Sequence, residues 1–165
     1  MTSGDAWSFD TTDQVNVARV LGRFREEAGA RGVFLVGKSG QLLDAAGRTE
    51  GIDGASFASL AAADFAAGAQ LAELLGEDDF AALYHQGEPE CMYLTDVGGE
   101  AILAALFDQA TTLGLVRMQT RKVVPELETI IETAAEREAG RPRGSFMEAG
   151  WADEAADEID KLFSD

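Results

Sequence analysis

From Ile52 to Gly76 the chain reads IDGASFASLAAADFAAGAQLAELLG, free of proline and with apolar positions at helical spacing. Phe57, Leu60, Ala61, Gly68, Leu71 and Leu75 share one face, with Asp64 the odd polar member near it. That face is predicted to be the buried one of a helix of about six or seven turns. The opposite face carries Ser59, Ala62, Ala63, Ala66, Ala69 and Gln70, where an ordinary solvated helix carries Lys, Glu and Arg. Alanine is the best helix former and tolerates exposure. A face this smooth nevertheless predicts a large partner lying close against it.

The rest of the chain arranges around that helix. Asp10–Ala28 reads as a first helix, with Val15, Ala18, Leu21, Gly22 and Arg25 on one face and Val17, Val20 and Phe24 beside it. Asp10, Thr11 or Thr12 can cap its start. Gly32–Val36 (GVFLV) is a short strand, Lys38-Ser39-Gly40 a tight turn and Gln41–Ala46 the returning strand of a hairpin. Asp53 is placed to cap the long helix. After Gly76, Phe80, Leu83 and Tyr84 are expected in a short helical turn. Three strands follow, Cys91–Val97, Ala101–Asp108 and Leu113–Thr120, of which the second (ILAALF) is apolar on both faces and suits a covered central position. Lys122–Glu138 closes the domain as a helix with Val123, Leu127, Ile130, Ile131 and Ala134 buried and Pro125 near its first turn.

This order predicts an α+β sandwich: a five-stranded antiparallel sheet with one long helix on one face and two helices on the other. The expected division is a loose N-terminus (1–9), one domain (10–139), a linker by composition (140–150, GRPRGSFMEAG) and an amphipathic acidic tail (151–165). In the tail, Trp151, Ala155, Ile159, Leu162 and Phe163 fall at helical spacing, and Asp153, Glu154, Asp157, Glu158 and Asp160 occupy the other side. Trp151, Ile159, Leu162 and Phe163 are expected to dock on a partner, with folding back on the chain's own domain as the alternative.

Composition narrows the function. At 165 residues and 46% apolar the chain can build one core, and a net charge of −17 argues against nucleic-acid binding. No Lys or Arg occurs between Arg48 and Arg117, while acidic residues recur from Asp53 to Asp108. Solubility explains such a span, and so does steering towards a basic protein surface. The single cysteine, Cys91, and the absence of a signal peptide point to the cytoplasm, and no run is long enough for membrane insertion.

No catalytic constellation assembles. Gly32–Ser39 matches the P-loop pattern letter by letter, but its middle residues are Val33, Phe34, Leu35 and Val36, and a strand, not a helix, follows. His85 is the only histidine, Cys91 opens an apolar strand, and Glu77, Asp78 and Asp79 lack the spacing of a calcium loop. The expectation is a protein with no metal, no cofactor and no enzymatic centre, acting through its surfaces.

FLVGKSGQLLDAAG, followed by IDGASFASLAAADFAAGAQLAELLGE and later TTLGLVR, resembles the roadblock/dynein light chain family, closest to its bacterial, MglB-type branch. The likeness covers about residues 10–139, and the ending EIDKLFSD is similar to tails in that branch. The resemblance implies the sandwich above and a homodimer in which two sheets join edge to edge with the long helices side by side. The joining edge is expected in Cys91–Val97, at Met92, Tyr93, Leu94 and Thr95. It implies binding to a Ras-like small GTPase of the MglA type that sets front–rear polarity in motile bacteria, two chains per GTPase, with hydrolysis stimulated without an arginine finger. It also implies a cytoplasmic protein concentrated at a cell pole. Ser59, Ala62, Ala63, Ala66, Ala69, Gln70 and Glu73 are the expected GTPase contacts; Gln70 stands where relatives carry a smaller residue. A scaffold that localises a partner without accelerating hydrolysis is the alternative.

Overall fold

The computed structural model of the chain describes residues 7–141 and 158–163. Linker residues 142–150 and Trp151 of the tail lie outside the described residues, and with them the expectations placed there.

Helix α1 (Thr11–Ala28) starts at a reciprocal cap: the Asp13 amide donates to Asp10 Oδ1 at 2.8 Å and the Asp10 amide to Asp13 Oδ2 at 3.0 Å. Arg137, from the far end of the chain, reaches both carboxylates at 2.6 and 2.8 Å. Trp7 and Phe9 pack back on the domain, the Trp7 indole donating to Glu100 Oε2 at 3.1 Å. Trp7 and Phe9 thus join the α1/α3 core.

The hairpin β1 (Gly32–Gly37) and β2 (Leu42–Gly47) is followed by α2 (Gly54–Leu74), β3 (Ala82–His85), β4 (Cys91–Val97), β5 (Ala101–Phe107) and α3 (Leu113–Ala139). The strands form one antiparallel sheet in the order β2-β1-β5-β4-β3. Central β5 is buried at every residue. Its alternate side chains feed two cores. Ile102, Ala104 and Leu106 join Phe34, Val36 and Leu94 beneath α2. Leu103, Ala105 and Phe107 join Val33 and Leu35 beneath α1 and α3. The one-helix, two-helix division is as expected.

Several boundaries differ from expectation. Leu113–Thr120 is not a strand but the opening of α3: Thr112 Oγ1 accepts from the Leu115 amide at 3.2 Å, and Val116, Thr120, Val123, Leu127 and Ile131 are buried at helical spacing. Pro125 consequently lies inside that helix, on its exposed side, not in its first turn. The missing fifth strand is Ala82–His85. In place of the expected helical turn, Ala82, Leu83, Tyr84 and His85 pair with Thr95, Leu94, Tyr93 and Met92. Met92, Tyr93, Leu94 and Thr95 are thus not an edge; β4 lies between β5 and β3, and the edge on that side is β3. In α1, Val15 is 63% exposed, and the buried face is Val17, Val20, Leu21, Phe24 and Ala28.

The other edge is β2. Arg48 donates to Arg31 across the hairpin, so 33/46 and 35/44 are the hydrogen-bonded pairs and the Ala45 amide points away from β1. That amide donates to its neighbour's Asp44 Oδ1 at 2.8 Å.

Candidate functional site

Helix α2 lies on the sheet through small residues. Ala58, Ala61, Ala62 and Phe65 are its buried positions, and the alanines let its backbone approach Phe34, Val36, Ile102 and Leu106 closely. Phe57 stacks on Phe34 with ring centroids 4.2 Å apart, and Phe65 meets Phe80 at 5.0 Å. Asp53 occupies the N-cap position, but its carboxylate takes the Ser56 hydroxyl rather than a backbone amide.

The buried face is turned by about a quarter of a turn from the one expected. Leu60, Leu71 and Leu75, expected in the core, are 70%, 63% and 81% exposed, and Leu74 is 83% exposed. Ala62, expected on the outer face, is buried. The physical reason is shape: leucines at these positions would hold the helix off the sheet, whereas Ala58, Ala61 and Ala62 let it seat with two phenylalanines filling its flanks.

Two flanks of the exposed surface are distinguishable. On the β3 side, Asp64 Oδ2 lies 2.6 Å from His85 Nε2, and a Cβ added at Gly68 would meet Phe80 and Leu83. Leu60, Leu71 and Leu75 lie towards this flank, continuous with the β3 edge. On the opposite side, the Ser59 hydroxyl donates to the Gly40 carbonyl in the β1–β2 turn at 3.5 Å. Ser59, Ala63, Ala66, Gln70 and Glu73 are exposed towards this flank, and Ala69 is half-buried. The helix carries no Lys or Arg anywhere.

Each fully covered leucine contributes about 1.5–3 kcal/mol relative to exposure. Three or four of them beside an unpaired strand edge form the kind of contiguous apolar patch that marks a protein contact. The β3 strand is short and fixed at its end: the Tyr84 hydroxyl donates to Cys91 Sγ at 3.4 Å. This bond to the thiol, with some loss of hydration, holds the Tyr84 pKa above its ordinary value.

Sequence reasoning missed Leu60, Leu71, Leu74, Leu75 and the β3 edge as candidate contacts. One signal was available: α2 has more apolar positions than one face can bury, which itself calls for a second covering surface. The P-loop letters fall on β1, whose backbone pairs with β2 and β5 on its two sides, leaving no amide nest for phosphate. Ile159, Leu162 and Phe163 stand exposed in the helical residues 158–163. No helix among the described residues is long and apolar enough to cross a membrane.

Residues 16–107, from within α1 to the end of β5, match the family model of the Roadblock/LC7 domain. Comparison with curated proteins gives no match. Among solved structures, Myxococcus xanthus MglB is 40% identical, covering 76% of this chain and 95% of its own at a TM-score of 0.71. An MglB with a tetrameric arrangement and the gliding protein MglB of Thermus thermophilus are both 29% identical at a TM-score of 0.71. Both cover 78% of this chain, and 96% and 97% of their own lengths respectively.

Proposed function

The chain belongs to the Roadblock/LC7 family, and on that premise we propose that it is a homodimeric regulator of a Ras-like small GTPase of the MglA type, in bacterial cell polarity and motility. It acts as a GTPase-activating protein and has no active site of its own. The observation that carries this reading is the exposed leucine and alanine surface of α2 beside the unpaired β3 edge.

The two flanks of α2 divide the work. Leu60, Leu71 and Leu75 pack against a second copy while the β3 edges pair, bringing the two long helices together. Ser59, Ala63, Ala66, Gln70 and Glu73 then face the GTPase, with Ala69 at the margin and Ala62 beneath them as packing. Small side chains permit close approach, and Glu73 on a helix free of Lys and Arg suits a basic partner.

Helix α2 and strands β3, β4 and β5 carry no Lys or Arg, since none occurs between Arg48 and Arg117. As the family likeness implies, stimulation proceeds without an inserted arginine finger. The dimer binds the hydrolysis-competent arrangement of the GTPase's own residues more tightly than the alternatives and shifts the population towards it.

Single-turnover GTP hydrolysis by an MglA-type GTPase, with and without this protein, tests the reading. The expected result is a large acceleration that saturates near two chains per GTPase. Binding without acceleration overturns the activating role and leaves a scaffold that localises its partner.

A further inference from the structure

We propose that the groove between α3 and strands β3 and β4 is the seat of the chain's own C-terminal segment, residues 151–163. On this face of the sheet α1 packs over β2 and α3 over β4, which leaves the strip beside β3 open. The resulting groove has a volume of about 660 Å³, with Phe80, Ala82, Tyr93, Val124 and Pro125 supplying apolar wall. That volume lies within the roughly 300–1,000 Å³ of pockets that enclose organic groups.

Its basic residues are unused. Arg117 and Arg121 line the groove from successive turns of α3, both are exposed, and neither makes an ion pair or hydrogen bond among the described residues. The groove also carries Glu77, Asp79, Asp96 and Glu128, of which Asp96 is held by Lys38 at 3.1 Å.

The tail offers apolar side chains for that wall and carboxylates for the two arginines. Trp151, Ile159, Leu162 and Phe163 make one apolar side, Asp153, Glu154, Asp157, Glu158 and Asp160 are acidic, and Lys161 is the one base to meet the groove's remaining carboxylates. Ile159, Leu162 and Phe163 stand exposed, so this apolar side is as unpartnered as the groove.

The tether fits. Pro125 lies 15 residues before Gly140 on α3, about 22 Å back along the helix. The nine residues 142–150 reach at most about 30 Å when extended. Residue 151 can therefore enter at Pro125, and the tail then runs antiparallel to α3 past Arg121 and Arg117. Sequence alone favours a partner as the tail's seat; the groove supplies one within the chain. A seated tail is withheld from other surfaces until it is released. The inference concerns the free chain and does not depend on the identity of its partner.

The test uses the full-length chain carrying Trp7→Phe, which leaves Trp151 as the only tryptophan. Acrylamide quenching of Trp151 is compared with the same chain carrying Arg117→Glu and Arg121→Glu, with circular dichroism melts confirming equal folding. The expected result is quenching several-fold stronger in the double reversal and shielding restored by adding Glu154→Arg and Asp157→Arg in the tail. Hundredfold dilution should leave the shielding unchanged. Equal quenching with and without the arginine reversals overturns the proposal. So does shielding lost on dilution, which assigns the seat to a second copy.

Discussion

His85 Nε2 sits 2.6 Å from Asp64 Oδ2, joining the edge strand β3 to the middle of α2. The two elements that make up the proposed contact surface are thereby fixed to one another by a polar link across their seam. Both side chains are well exposed, so the link contributes no more than about 1 kcal/mol. His85→Ala is expected to lower Tm by only a few degrees. Its larger effect is local: amide exchange in Ala82–Tyr84 should accelerate at least several-fold while β5 amides hold their protection. Uniform acceleration across the sheet would show that the link does not act on the edge.

Ala66 and Ala62 are four residues apart, one exposed and the other buried beneath the helix. Ala66→Arg should leave the fold and the dimer intact and weaken GTPase binding by about a hundredfold, roughly 3 kcal/mol, because a long charged side chain enters a close-packed contact. Ala62→Arg should instead unfold the domain. Titration of the GTPase by calorimetry, with parallel melts, separates the two; unchanged binding by Ala66→Arg removes the assignment of that flank.

Leu60 and Leu71 are expected to be covered only in the dimer. Leu60→Asp with Leu71→Asp places charge at the leucine flank without touching the core. Light scattering should report a species near the 17.5 kDa chain mass instead of twice that value. An unaltered dimer mass would place the self-association surface elsewhere.

Asp10 provides a pH test. The Asp13 amide bound to its carboxylate, aided by Arg137, holds its pKa below the ordinary value. A carboxyl depressed in the folded state stabilises above its unfolded pKa of about 3.9, and that stability is lost as pH falls through the lower, folded value. Urea midpoints for the parent should therefore drop between about pH 5 and pH 2.5. Asp10→Asn, which retains a capping acceptor, should show a smaller drop; an equal drop would assign the acid sensitivity to other carboxylates.

Layering was legible from the residues because it follows from periodicity. ILAALF suits a doubly covered strand, and the repeat through Val123, Leu127, Ile131 and Ala134 suits a helix packed on one side; both are so in the structure. Local conformation at element borders was not. Leu113–Thr120 alternates well enough to pass for a strand, and what decides otherwise is the Thr112 cap and the burial of Val116 and Thr120 by the sheet. Ala82–His85 is too short to carry a pattern; its strand character comes from its pairing with β4. The face of α2 matters most for function, and there hydrophobicity misleads. It ranks leucine above alanine for burial, but the distance between helix and sheet is set by the smallest side chains between them. The leucines were free to be surface.

The two edges of the sheet are chemically unequal. At β2 the outward Ala45 amide is already satisfied by Asp44, while β3 carries no such stopper along Ala82–His85. In the language of polymerisation the two ends differ in reactivity: β2 has one outward donor already blocked, and β3 has none blocked. If two copies join through β3 as proposed, the edge left on each side is the partly blocked one, which disfavours further strand addition.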